Sequence, residues 1–306
     1  MPRTLSHFGL RPLLFALLLL AALSLTGTSH AADEAAPKEG ILLVAFGTSV
    51  PEAKPSFEAV DAEFKKAFPG APVVWAYTSQ IIRKKLAAQG QPVGGISDGL
   101  AQLAKDGVKV VRVQSLHVLA GEEFTALERA VLLDVSKNPG RFDAVFLGRP
   151  LLESMVDAQE LAAAILADTK SSRGKNTALI LMGHGQSHGR ADLAFEGVYA
   201  VFKSTDKNIH MATVEGARNF EDLLKTLKAA KIKKVVLAPL MLVAGDHARN
   251  DLAGDEDDSW ASQLKTAGIK VDAHLKGLGE MPGTAAILVR HAKESTDDLT
   301  KEPKKP

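Results

Sequence analysis

Residues 234–251 read KVVLAPLMLVAGDHARND. Val235 to Val243 is an aliphatic run broken only by Pro239, the signature of a strand buried on both faces of a parallel sheet. The run ends at Gly245-Asp246-His247, so a carboxylate and an imidazole follow the strand's carboxyl end. In open α/β sheets that edge is where ligands bind. Residues 110–123, VVRVQSLHVLAGEE, repeat the pattern without a gap. Gly121 then matches Gly245, Glu122 matches Asp246 and Glu123 matches His247.

A second correspondence supports the first. AFGTS, Ala45 to Ser49, matches GHGQS, Gly183 to Ser187, pairing Phe46 with His184. The order of the two matches is the same in both halves. The offset shrinks between them, which places a shorter loop in the second half, where the counterpart of Gln89 to Asp98 is lost.

Around these anchors the periodicity alternates. Strands are expected at 40–46, 73–77, 108–119 and 142–147, with helices at 55–68, 79–88, 99–105, 124–135 and 159–169. A polar linker at 170–176 precedes a second series, with strands at 178–182, 209–214, 235–243 and 271–275. Helices follow at 192–202, 221–230, 259–267 and 284–292. Such alternation predicts an α/β fold. The expectation is two Rossmann-like parallel-sheet lobes, related by a pseudo-twofold duplication, with a cleft between them. The lobes are expected at 32–170 and 171–293. The charged end, 294–306, reads as a disordered tail.

Residues 1–31 read as a cleavable signal peptide. Arg3 and Arg11 precede the apolar run Leu13 to Leu23, and Ser29 and Ala31 suit cleavage after Ala31. The run is shorter than the ~20 residues of a membrane-spanning helix. The expected location is therefore the periplasm.

The 306 residues carry a formal net charge of +1 and no cysteine. Zinc–thiolate sites, iron–sulfur clusters and cysteine nucleophiles are thereby excluded. The charge balance gives no support for a nucleic-acid partner. The loops Gly47-Thr48-Ser49 and Gly183-His184-Gly185 are neither GxGxxG nor GxxxxGK(S/T), so no nucleotide is expected. Oligomeric state is not legible.

Under the duplication, His184 and His247 stand at strand ends of the second lobe, and Phe46 and Glu123 at the equivalent ends of the first. All four would face the cleft. Two imidazoles and a carboxylate fit a first-row divalent ion held with open coordination positions. His117 is expected mid-strand, as a buried and hydrogen-bonded residue. His188, four residues after His184, is disfavoured as a ligand by Gly185 and Gly189. His210, His274 and His291 read as structural or surface residues. Asp246, Asp251 and the run 255–258 read either as a cation-attracting rim or as a solvated loop.

These segments resemble the anaerobic sirohydrochlorin cobaltochelatases of the ATP-independent, class II chelatase family. The matching motifs are LLVAFGTS (42–49), TSQIIRKKL (78–86), VQSLHVLAGEEF (113–124), LMGHGQSH (181–188), APLMLVAGDHARNDLAGDEDDSW (238–260) and GLGE (277–280). The resemblance implies a tetrapyrrole in the cleft and metal-binding, catalytic roles for His184, His247 and Glu123. It implies Co²⁺, or alternatively Fe²⁺, as the metal substrate in a step of cobalamin synthesis, with no further cofactor. The departure from the family is the signal segment. Because sirohydrochlorin carries many carboxylates, Arg83, Lys84 and the loop with Thr48 and Ser49 are candidates for its rim, beside Phe46. The reading from another class is a two-lobed periplasmic carrier of metal or tetrapyrrole, which would bind without turnover.

Overall fold

The computed structural model describes residues 38–174, 176–186 and 189–301. Residues 1–37, among them the expected signal segment, and Lys175, Ser187, His188 and residues 302–306 lie outside them. Two four-stranded parallel sheets are formed. The first has the order β2-β1-β3-β4, with β1 Glu39–Ala45, β2 Val73–Tyr77, β3 Val110–Ser115 and β4 Ala144–Gly148. The second repeats it as β6-β5-β7-β8, with β5 Ala178–Gly183, β6 Ile209–Thr213, β7 Lys234–Pro239 and β8 Lys270–Ala273. The duplication read from the strand ends is thus carried by the whole topology. Each sheet has its switch point between its first and third strands, β1/β3 and β5/β7, where crevices for ligands open.

The central strands form because both their faces are covered. Ile41 to Val44, Leu179 to Met182 and Val235 to Leu237 are fully buried. Helices α1 Lys54–Ala67, α2 Gln80–Ala88, α3 Ile96–Lys105 and α4 Glu122–Lys137 cover the first sheet. Phe57, Val60 and Phe64 recur at helical spacing along α1 and give it its buried face. Helices α5 Met155–Asp168, α6 Arg190–Thr205, α7 Phe220–Ala229, α8 Trp260–Thr266 and α9 Pro282–Glu294 complete the fold.

Two expected strands are shorter than their apolar runs. β7 stops at Pro239, which has no N–H to continue the ladder, and Leu240 makes the last contact, donating to Met182 O at 2.7 Å. Met241 and Leu242 instead accept from Leu278 and Gly279, each at 2.9 Å. In the first half, β3 stops at Ser115, and His117 and Val118 accept from Leu151 and Leu152, each at 2.9 Å. His117 therefore lies past the strand, not within it.

The boundaries at 170 and 293 do not describe the packing. Helix α5, which ends the first half, packs on α6 of the second. Helix α9, which ends the second half, packs on α1, β3 and β4 of the first. The halves exchange their last helices, and both sheets belong to one compact unit. The expected disordered tail is also corrected as far as Lys301. Leu299 N donates to Val145 O (2.8 Å), Val145 N donates to Asp298 Oδ1 (3.1 Å) and Ser295 Oγ donates to Leu147 O (2.8 Å). The tail covers the open edge of β4, whose backbone groups would otherwise lack partners.

Candidate active site at the paired switch points

A cavity of about 560 Å³ opens between the carboxyl ends of the two sheets. Its walls come from both halves, and their contacts are crossed. A side chain added at Gly121 would meet the Gln186 amide at 3.0 Å, and one added at Gly245 would meet Thr48 Oγ1 at 3.6 Å. The loop after β3 therefore abuts the loop after β5, while the loop after β7 abuts the loop after β1. This is the arrangement a pseudo-twofold axis through the cavity produces.

His184 follows β5 in a loop that only glycine can complete. Gly185 has φ +78°, and a Cβ there would collide with Glu215 O. Glu215 N donates to His184 O at 2.8 Å, and the His184 ring donates from Nδ1 to Gly185 O at 3.0 Å. His247 precedes a π-helical turn, Ala248–Leu252, and donates from Nδ1 to Asp251 Oδ2 at 2.5 Å. Turns of this kind are rare and concentrate at functional sites.

Each Nδ1 faces an oxygen that can only accept, a carbonyl in one case and a carboxylate in the other. In their neutral form both rings therefore carry hydrogen on Nδ1, which leaves Nε2 without a hydrogen-bond partner among the described residues and open to a metal ion. The rings lie 4.9 Å apart between centroids and almost perpendicular, at 82°. Two imidazoles so held form an N,N pair that a single divalent ion can bridge.

The third residue expected at the site, Glu123, stands in the first turn of α4 on the first lobe's wall of the cavity. It accepts from Thr78 Oγ1 at 3.0 Å. Among the described residues no three His, Asp or Glu side chains close around one ion position. The structure thus pairs the histidines and keeps the carboxylate on the facing wall. Phe46, half-exposed, and Thr48 line the cavity as expected.

Arg83, Lys84 and Ser49 do not line it. Ile82 is the residue of α2 that faces the cavity. At ~100° per residue, Lys84 is carried about 200° round the helix from Ile82. Arg83 turns toward Asp98, 4.0 Å away. The Ser49 hydroxyl is buried without a partner. The described charged lining is acidic instead: Glu122, Glu123, Glu215 and Asp246.

Sequence reading passed over three residues of this site. Asp251, read as rim charge or as part of a solvated loop, holds His247 through its Nδ1. Thr78 holds Glu123. His117 lines the cavity.

Fold and site together define a two-lobed metal-handling α/β protein, and the comparisons agree. The protein SirB from Bacillus subtilis, solved with Fe³⁺, shares the fold at a TM-score of 0.61 and 14% identity, over 84% of this chain and 95% of that one. A sirohydrochlorin cobaltochelatase of Nitratidesulfovibrio vulgaris is 34% identical over 254 residues, 83% of this chain and 89% of that protein. That of Salmonella typhimurium is 33% identical over 267 residues, 87% of this chain and 99% of that protein. The cobalt chelatase (CbiK) family model matches residues 39–297. The chain belongs to that family.

Proposed function

We propose that this protein inserts Co²⁺, with Fe²⁺ as the alternative ion, into sirohydrochlorin without ATP. The observation that carries the reading is the pair of perpendicular imidazoles, each anchored through Nδ1, set at the mouth of two facing switch points. Membership of the cobalt chelatase family favours insertion over mere carriage.

The chemistry follows from these residues. One Co²⁺ enters the macrocycle and two pyrrole N–H protons leave it. His184 and His247 replace waters of the ion one at a time, so that no single step strips its whole shell. Glu123 lies on the facing wall, where a carboxylate can receive one of the two protons, and the other passes to water in the open cavity. Thr78 fixes one oxygen of that carboxylate. Phe46, Leu116, Val118, Leu119, Leu240 and Leu242 give the macrocycle faces apolar surface to lie on.

The test is multiple turnover. Residues 32–306 are mixed with excess sirohydrochlorin and Co²⁺ but no nucleotide, and the absorbance change is followed. Many metallated macrocycles per protein chain are expected. Metallation that stops at one equivalent would make the protein a carrier.

We further propose that the protein works in the periplasm. The motivation is the basic, apolar and small-residue series ending at Ala31. Cell fractionation should yield a mature form beginning near Ala32 outside the cytoplasm. A full-length cytosolic product would remove this part of the proposal.

A further inference from the structure

His117 is a cavity residue that the proposed mechanism leaves without a task. Its ring is held from one side only, with Nδ1 3.0 Å from Ser115 Oγ. Ser115 is fully buried, and its oxygen also accepts the His117 backbone N–H at 3.3 Å. Ser115 Oγ already accepts from the backbone, and among the described residues Nδ1 is the acceptor within reach of its hydroxyl hydrogen; with that bond made, the ring hydrogen lies on Nε2. Nε2 itself is buried and has no partner among the described residues.

A buried N–H without an acceptor costs stability, so it calls for an explanation. Space-filling does not supply one. The equivalent position in the second half is Met241. It lines the same cavity and has the same backbone partnering, to Leu278 where His117 has Leu151. A thioether therefore fills this wall without an orphaned donor. Burial also holds the His117 pKa down, at about 4, so the ring stays neutral and adds no positive charge to a wall that meets a metal cation.

We propose that His117 is a further substrate-binding residue: its Nε2–H, closed to solvent in this conformation, is reserved for a hydrogen-bond acceptor on the bound tetrapyrrole and reaches it when the ring turns on binding. The acceptor is a peripheral carboxylate or an imine nitrogen of the ring. This rests on the cavity's being the tetrapyrrole site.

The test uses the mature protein with His117→Met, which copies the second half, and with His117→Gln, which keeps an N–H donor. Wild-type insertion of Co²⁺ into sirohydrochlorin is measured first; its absence would sink the proposed function rather than this inference. Given wild-type activity, His117→Met is expected to raise Tm while lowering kcat/KM about tenfold, through KM for the tetrapyrrole. The Co²⁺ dependence should be unchanged, and His117→Gln should recover part of the loss. Repeating the comparison with a macrocycle that lacks carboxylates identifies the acceptor. The deficit persists if the acceptor is an imine nitrogen and vanishes if it is a carboxylate. Values of kcat/KM within twofold of wild type for both variants would overturn the proposal. If His117→Met does not fold, His117→Gln decides alone, against His117→Leu: equal KM values for those two would also overturn it.

Discussion

Alanine at His184 or at His247 is expected to lower the rate of Co²⁺ insertion by more than ~100-fold and to leave the fold intact. The lower bound comes from residues one step further out, since partners that merely orient a metal-binding histidine are worth about 10–100-fold. Asp251 is such a partner here, through its bond to His247 Nδ1. Asp251→Ala should therefore fall between wild type and His247→Ala, with weaker Co²⁺ binding when the ion is titrated alone. Stability should change little in all three, because His184, His247 and Asp251 lie at the cavity rim rather than in the core. Steady-state rates and circular dichroism of the three variants test this ordering. Near wild-type rates for both histidine variants would remove the pair from the mechanism.

The largest stability effect is expected at Asp157. It is 1% exposed and sits in the first turn of α5. Its Oδ1 accepts from Arg290 Nη2 at 2.7 Å and from His291 Nε2 at 3.1 Å, both on α9, and its Oδ2 accepts from Ser154 N at 2.9 Å. One carboxylate thus caps α5 and ties together the two exchanged helices. Asp157→Ala leaves a buried His291 and Arg290 without that partner, which costs about 3–5 kcal/mol. Asp157→Asn keeps part of the cap and should cost less. Urea unfolding of both variants is the measurement, and a loss below about 1 kcal/mol in the alanine variant would contradict the account.

The same group sets an acid limit. Burial raises its pKa, but hydrogen bonds from Ser154, His291 and Arg290 outweigh burial and hold it at about 2. The folded pKa lies below the unfolded one, so its contribution is complete above about pH 4 and is lost as the pH falls through about 2. That contribution is about 2 kcal/mol. It should be missing from the acid unfolding curve of Asp157→Asn.

Much of the architecture was legible because it is written locally. A parallel strand buried on both faces shows as an unbroken apolar run, and Gly-rich ends after β1, β3, β5 and β7 mark the switch points. The duplication was visible because the matched residues, Phe46 with His184 and Glu123 with His247, are themselves strand ends. What was not legible depends on partners far apart in the chain. Helices α5 and α9 carry ordinary amphipathic patterns that do not say which half they cover. Asp298 and Leu299 read as part of a charged tail because their partner, the edge of β4, lies about 150 residues earlier. Arg83 and Lys84 were attractive by charge alone; Arg83 turns toward Asp98, and the phase of α2 carries Lys84 away from the side of Ile82. The link from Asp251 to His247 is an i,i+4 contact made on a π-helical turn, which GDHARND does not announce. His117 was assigned mid-strand because the apolar run continues past Ser115, where the ladder ends.

The central claim is that one metal ion is held between His184 and His247 at the carboxyl ends of β5 and β7. It is tested most directly by soaking crystals of the protein with Co²⁺ and recording anomalous diffraction at the cobalt edge. The expected result is a single strong peak within about 2.1 Å of both Nε2 atoms. A cobalt peak elsewhere, with the Nε2 atoms of His184 and His247 uncoordinated, would contradict the account.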